Sequence, residues 1–176
     1  MPLAVPATRR LPATPRVLVA EDDTDILFLL TEILRSDGYE VLVAKDVEEF
    51  ETSVQAATLG RITPFDLIVA DVYMPGRHGT ALEVLGKFRQ SHLRTPVLLI
   101  TAYPDEHVHM EASRLGVSGV MAKPFDMDDF RMAVLNLAMP SRAVEHRISM
   151  NDMTSELVRA GVLSLDEAQQ RRRRRD

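Results

Sequence analysis

The sequence predicts an α/β fold built on a doubly wound, five-stranded parallel sheet of strand order 2-1-3-4-5, with helices on both faces. Three observations predict it. Short apolar runs alternate five times with longer segments of helical period. Four of the five runs are continuously apolar, as strands covered on both faces are. Turn and stop residues, among them Gly38, Gly60, Pro64, Pro75, Gly76, Pro96 and Pro140, punctuate the alternation. Right-handed crossovers then leave few ways to order the strands.

The elements follow in order. Residues 1–15 hold Pro2, Pro6, Pro12 and Pro15 among small residues and read as a disordered leader. Val17 to Ala20 is the first strand and runs into Glu21-Asp22-Asp23. Thr24 is placed to cap the first helix, whose apolar face is Ile26, Leu29, Leu30, Ile33 and Leu34. Asp37-Gly38 ends it, with Gly38 supplying the left-handed position. Glu40 to Ala44 is the second strand, and a helix over about Val47 to Ala57 presents Phe50, Val54 and Ala57. Residues 57–65 look like a surface insertion, tolerated because loop closure costs little per added residue.

The third strand, Leu67 to Ala70, ends abruptly in Asp71. A helix over about Thr80 to Ser91 carries Leu82, Leu85 and Phe88. Val97 to Ile100 is the fourth strand and ends at Thr101. A helix over about Asp105 to Leu115 turns Val108, Ala112 and Leu115 inward. Val117 to Met121 is the fifth strand and leads into Lys123-Pro124. Asp126 caps a last helix with Met127, Phe130, Val134 and Leu137 on one face, and Pro140 stops it.

Composition narrows the function classes. At 176 residues the chain holds one domain with extensions, and 45% hydrophobic and 27% charged residues are ordinary globular usage. No stretch approaches the length of a membrane-spanning helix, and no signal-peptide pattern follows Arg9 and Arg10, so a cytoplasmic location is expected. Zero cysteines exclude disulfides, iron–sulfur clusters and thiol catalysis. Residues 140–176 carry eight basic and six acidic side chains, and residues 1–139 carry 13 and 20. An acidic body argues against non-specific nucleic-acid binding by the main domain.

In a parallel sheet the strand carboxyl ends share one edge, where ligands bind. That edge gathers Glu21 and Asp22, Asp71, Thr101 and Lys123. Three carboxylates in one crevice call for a cation. Hard oxygen donors without His or Cys suit Mg2+. A cation, an ammonium and a hydroxyl together make a site for a phosphoryl group. No glycine-rich phosphate loop occurs, so the acceptor of choice is a carboxylate, and Asp71 on the central strand is the candidate. The five histidines lack metal-binding spacing, and the nine methionines read as core filler.

These residues resemble the receiver domain of two-component response regulators, of flavodoxin-like or CheY-like fold. The resemblance lies in Val17 to Asp23, in Asp66 to Asp71 with Met74-Pro75 and Gly79, in Thr101-Ala102 and in Lys123-Pro124-Phe125. It implies that Asp71 is the phosphorylated aspartate. It implies that Asp22 and Asp71 bind Mg2+ directly, with Glu21 acting through water and Tyr73 lending its backbone carbonyl. Thr101 and Lys123 would contact the phosphoryl group, and the Lys123–Pro124 bond would be cis. The donor would be a phosphohistidine on a sensor histidine kinase or a histidine phosphotransfer protein, and output would go to a downstream effector protein.

Val120 stands where the family usually carries an aromatic residue, and valine has no ring to swing. Tyr73 and Tyr103 each stand two positions after a site residue, where rings could restrict water's approach to an acyl phosphate.

The expected organisation is a leader (1–15), a receiver domain (16–139) and a short, basic-ended tail (140–176). In the tail, Met153 to Ala160 and Ser164 to Arg174 read as two short helices, the second opened by a Ser164-x-x-Glu167 capping box. The expected function is a phosphorylation-switched signalling module, not an enzyme acting on a separate substrate. It would assist its own phosphorylation and dephosphorylation and work as a monomer or a phosphorylation-dependent dimer, without membrane contact. Two alternatives stand beside it. One is a DNA-binding regulator that uses the Arg171 to Arg175 run, the only route to nucleic acid. The other is an interaction module that ignores phosphorylation. A dehalogenase-like phosphatase is excluded because Asp71-Val72-Tyr73 lacks that family's second acid.

Overall fold

The computed structural model describes residues 14–76, 79–90 and 93–138. The expected tail helices lie outside the described residues. Five strands and five helices alternate: β1 (Arg16–Ala20), α1 (Thr24–Ser36), β2 (Glu40–Ala44), α2 (Val47–Thr58), β3 (Leu67–Asp71), α3 (Ala81–Gln90), β4 (Val97–Thr101), α4 (Glu106–Arg114), β5 (Gly119–Ala122) and α5 (Met127–Ala138). All strand pairs are parallel and the order is β2-β1-β3-β4-β5, as expected. Compact packing divides the chain after Phe125, so β1 to β5 with α1 to α4 form one unit and α5 begins another. In α5, Phe130 and Val134 are buried, and Asp126 accepts hydrogen bonds from the amides of Asp128 and Asp129.

The topology distributes the helices of the first unit. The step from β1 to β2 runs one way along the sheet, and the steps to β3, β4 and β5 run the other. With right-handed crossovers, α1 covers one face and α2, α3 and α4 the other. The register agrees. Leu18 and Ala20, Ile68 and Ala70, and Val97 and Leu99 share a face and pack with Phe50, Val54, Leu85, Val108 and Ala112. Val17, Val19, Leu67, Val69, Leu98 and Ile100 point the other way and are as deeply buried. β1, β3 and β4 are thus covered on both faces, while β2 and β5 are half-exposed edges.

Four local features depart from expectation. Asp23 caps α1, accepting from the amides of Asp25 at 2.9 Å and Ile26 at 3.0 Å; Thr24 is already helical. The buried face of α1 is Leu27, Leu30, Thr31 and Leu34, with Leu29 exposed; Ile26 to Leu30 are all apolar, so more than one stripe of helical period is available. The segment after α2 is not merely a surface insertion. Phe65 is buried and Ile62 packs on the core, and the Arg16 guanidinium sits 5.3 Å from the Phe65 ring centre while donating to the Thr63 carbonyl. β5 also starts two residues late, at Gly119, since Ser118 spends its hydroxyl on the Val97 amide at 3.2 Å. Gly38 has φ 88° at the end of α1, as its place after Asp37 requires.

Thr31 is 5% exposed, and its hydroxyl has no hydrogen-bond partner among the described residues. A buried polar group without a partner costs about 1–3 kcal/mol. Thr31→Val keeps the β-branched shape and removes that cost. We expect it to stabilise the protein by about 1 kcal/mol in urea denaturation; an unchanged or lower midpoint would contradict the packing described.

Candidate functional site

The site is built where the sheet ends. Ala20 of β1 is level with Ala70 of β3, so Glu21 follows beside Asp71, and Thr101 of β4 is level with Ala122 of β5, one residue before Lys123. The chain leaves each strand here because a loop or a helix cap takes over: Asp23 opens α1, and the Lys123 amide is held by the Thr101 carbonyl at 2.7 Å. The Lys123–Pro124 peptide is cis, as the resemblance implied.

Lys123 ties the edge together. Its Nζ lies 2.5 Å from Asp71 Oδ2 and 2.9 and 2.7 Å from Glu21 Oε1 and Oε2. Glu21 is 1% exposed, Asp71 7% and Thr101 0%, whereas Asp22 is open to solvent. Two buried carboxylates thus share one ammonium, and an exposed third flanks them. The oxygens of Glu21, Asp22 and Asp71 fall within 4.8 Å of one another. Hard, anionic and free of nitrogen and sulfur, this donor set fits Mg2+. Both Glu21 oxygens are engaged by Lys123, and Oε1 also accepts from the Asp23 amide at 3.3 Å, which leaves the exposed Asp22 the freer donor of the pair.

All five residues expected at the site are therefore brought to one edge. Tyr73 stands beside them through its amide, which donates to Asp71 Oδ1 at 3.1 Å. The Tyr103 amide donates to Thr101 Oγ1, also at 3.1 Å. These two backbone donors were not anticipated. A side-chain oxygen bonding the amide two residues on is a local turn motif, and the three-dimensional fold decides which Asp and Thr adopt it.

Burial pushes the Glu21 carboxyl above the ordinary value of 4.5, against the opposing hydrogen bond and charge of Lys123. For Lys123, burial works to lower the pKa, and the hydrogen bonds to Asp71 and then Glu21 outweigh it, so the ammonium is held above its ordinary 10.5. The signs follow. A carboxyl raised in the folded state binds its proton more tightly there than when unfolded, so its contribution to stability falls as pH rises from about 4.5 through the raised value. The Lys123 contribution is complete below 10.5 and is lost only as pH rises through the raised value. We expect the melting temperature of Glu21→Gln, relative to wild type without divalent cations, to improve as pH rises from 4.5 towards neutrality. A difference that shrinks over that range would contradict a carboxyl strained by burial.

Comparison with known proteins points one way. The family model described as the response regulator receiver domain matches residues 17–135. The transcriptional regulatory protein CpxR of Escherichia coli (strain K12) is 32% identical over 111 residues, 63% of this chain and 44% of that protein. The sporulation initiation phosphotransferase F of Bacillus subtilis (strain 168) is 29% identical over 119 residues, 68% of this chain and 90% of that one. Among solved structures, the response regulator TrrA of Thermotoga maritima, determined in complex with Mg2+ and BeF, superposes with TM-score 0.58 and 30% identity, covering 70% of this chain and 99% of that one. The chain spans less than half the length of CpxR.

Proposed function

This chain belongs to the response regulator receiver domain family, and we propose that Asp71 is its phosphoacceptor, with residues 16–139 as the receiver and 140–176 as a tail appended to it. The observation that carries the reading is Lys123, whose ammonium bridges buried Asp71 and Glu21 at the carboxyl edge of the central strands. An ammonium fixed on the acceptor oxygen stands ready for the charge that a phosphoryl group brings.

The transfer balances simply. A carboxylate oxygen of Asp71 attacks phosphorus on a phosphohistidine; the new O–P bond forms as the P–N bond breaks, and the electron pair stays on the imidazole nitrogen. Lys123 meets the phosphoryl oxygens, and the Thr101 hydroxyl donates to one of them. Asp22, Asp71 and the Tyr73 carbonyl would hold Mg2+ directly and Glu21 through water; the ion supplies neutralisation of the phosphoryl charge. In dephosphorylation, water attacks phosphorus as the aspartyl O–P bond breaks, the electron pair returns to Asp71 as a carboxylate, and the product is inorganic phosphate. The site thus assists its own phosphorylation and dephosphorylation without acting on a separate substrate.

The donor is a sensor histidine kinase or histidine phosphotransfer protein, and the output is a protein contact that follows a shift between two surface states. Among the described residues no helix is long and apolar enough to cross a membrane; we place the protein in the cytoplasm. The test is incubation with acetyl phosphate, with Mg2+ or with chelator, read by intact mass. A gain of one phosphoryl group that needs the cation supports the reading; no gain under conditions that load a control receiver overturns it.

The rings of Tyr73 and Tyr103 stand at the mouth of the site, their centroids 6.3 Å apart. Removing one admits water to the acyl phosphate. We expect Tyr73→Ala to lose phosphate roughly fivefold faster than wild type, equivalent to about 1 kcal/mol of lost protection. Equal decay rates would show that the ring does not shield the phosphate.

A further inference from the structure

We propose that Tyr73 and Tyr103 form an aromatic latch, closed ring against ring while Asp71 is unmodified and parted when Asp71 carries a phosphoryl group, with Tyr103 moving with Thr101 while Tyr73 keeps its place over the Asp71 side of the mouth that it shields. The proposal rests on Asp71 being the phosphoacceptor, and it adds a surface element that reports the state of that residue.

Each tyrosine is wired to one of the two side chains that the chemistry rearranges. The Tyr73 amide donates to Asp71 Oδ1 and the Tyr103 amide to Thr101 Oγ1, both at 3.1 Å. The two rings then meet edge to face, with an interplanar angle of 75°. Both are exposed, Tyr73 by 45% and Tyr103 by 70%, although Asp71 and Thr101 beneath them are buried. Two buried events, one on β3 and one on β4, therefore converge on a single ring contact at the surface.

The physics favours opening. An amide bonded to an ionised carboxylate makes a charge-assisted hydrogen bond, roughly twice as strong as a neutral one. Once an Asp71 oxygen is esterified, the carboxyl charge has moved to the phosphoryl group, and the Tyr73 amide faces a neutral acceptor. Thr101 changes in the same event. Its buried hydroxyl oxygen now accepts from Tyr103; when it turns to donate to a phosphoryl oxygen, its lone pairs leave the line of that amide. Threonine is confined to discrete χ1 wells, so this is a jump between positions and not a drift. Edge-to-face aromatic contacts are geometrically specific but weak, so they persist only while both backbones hold the rings in place.

The composition makes the latch directly observable. The chain has no tryptophan and three tyrosines, and the third, Tyr39, is 7% exposed at the far end of α1. The 176-residue chain labelled with 3-fluorotyrosine gives three fluorine resonances, assigned by single Tyr→Phe variants. Acetyl phosphate with Mg2+ loads the sample, and intact mass measures phosphoryl occupancy in the same tube.

The latch predicts that the Tyr73 and Tyr103 resonances both shift in the phosphorylated fraction while Tyr39 does not. It also predicts that Tyr103→Ala shifts the Tyr73 resonance in protein never exposed to phosphate donor. Phosphoryl gain with either ring resonance unmoved overturns the latch and leaves the acceptor reading intact. An unmoved Tyr73 resonance in unmodified Tyr103→Ala overturns the ring contact itself. No phosphoryl gain overturns the acceptor reading and the latch with it, and the mass spectrum separates that case from the others.

Discussion

Asp71→Asn is expected to take up no phosphoryl group under conditions that load the wild-type chain. The amide is close in shape to the carboxylate, and its oxygen still accepts from the Tyr73 amide that now bonds Asp71 Oδ1. The fold should therefore persist, since the buried position (7% exposed) gains no volume and loses a charge that Glu21 and Asp22 repel. What disappears is the nucleophile. An intact-mass measurement on folded Asp71→Asn that still shows a cation-dependent phosphoryl gain would move the acceptor elsewhere. Asp22→Asn makes the useful contrast: it keeps the nucleophile and weakens the cation site, so phosphorylation should survive but need more Mg2+.

Lys123→Ala has the second large effect. Removing one fixed electrostatic donor from a charge-developing site costs about 10²–10³-fold in rate. The loss here should sit in that range, because the ammonium already lies 2.5 Å from the Asp71 carboxylate and held above its ordinary pKa stays charged at any working pH. Arginine is not a rescue, since its planar fork cannot occupy the place of a point charge between two buried carboxylates. The variant also leaves Glu21 and Asp71 facing each other without their shared cation. Its melting temperature should fall below wild type in chelator, and divalent cations should recover part of the difference by binding the folded state. Stopped measurements of phosphoryl uptake, made with far-ultraviolet circular dichroism on the same sample, separate the rate effect from unfolding. A rate within threefold of wild type in folded Lys123→Ala would contradict the role given to the ammonium.

Much of this was legible from the residues, for identifiable reasons. The uninterrupted apolar runs of β1, β3 and β4 are buried on both faces, and at four or five residues between turn signals they are too short for an independent helix. Once the strands are parallel, the residues that follow them must share an edge, so Glu21, Asp71, Thr101 and Lys123 converge without any knowledge of contacts. The cis bond before Pro124 came with the resemblance, not from the residues alone.

Other features depended on phase or on three-dimensional choice. In α1 the apolar residues Ile26, Leu27, Phe28, Leu29 and Leu30 run consecutively, so several stripes fit the same letters, and packing in three dimensions decides that Leu27 is buried while Phe28 and Leu29 face water. The segment after α2 reads as a surface insertion, but Phe65 packs inward, with Arg16 bonded to Glu40 and Thr63 and set over the Phe65 ring. The amide bonds of Tyr73 and Tyr103 leave no trace in composition or period, because any residue supplies a backbone N–H.

The most direct measurement is the chemical location of the phosphoryl group. Protein loaded with acetyl phosphate and Mg2+ is reduced with borohydride, which converts an aspartyl phosphate to homoserine, then digested and sequenced by tandem mass spectrometry. The account predicts homoserine at position 71 and unmodified residues at 21 and 22. Reduction at Glu21 or Asp22, or a phosphoryl group that resists borohydride and maps to a hydroxyl or a histidine, would contradict it.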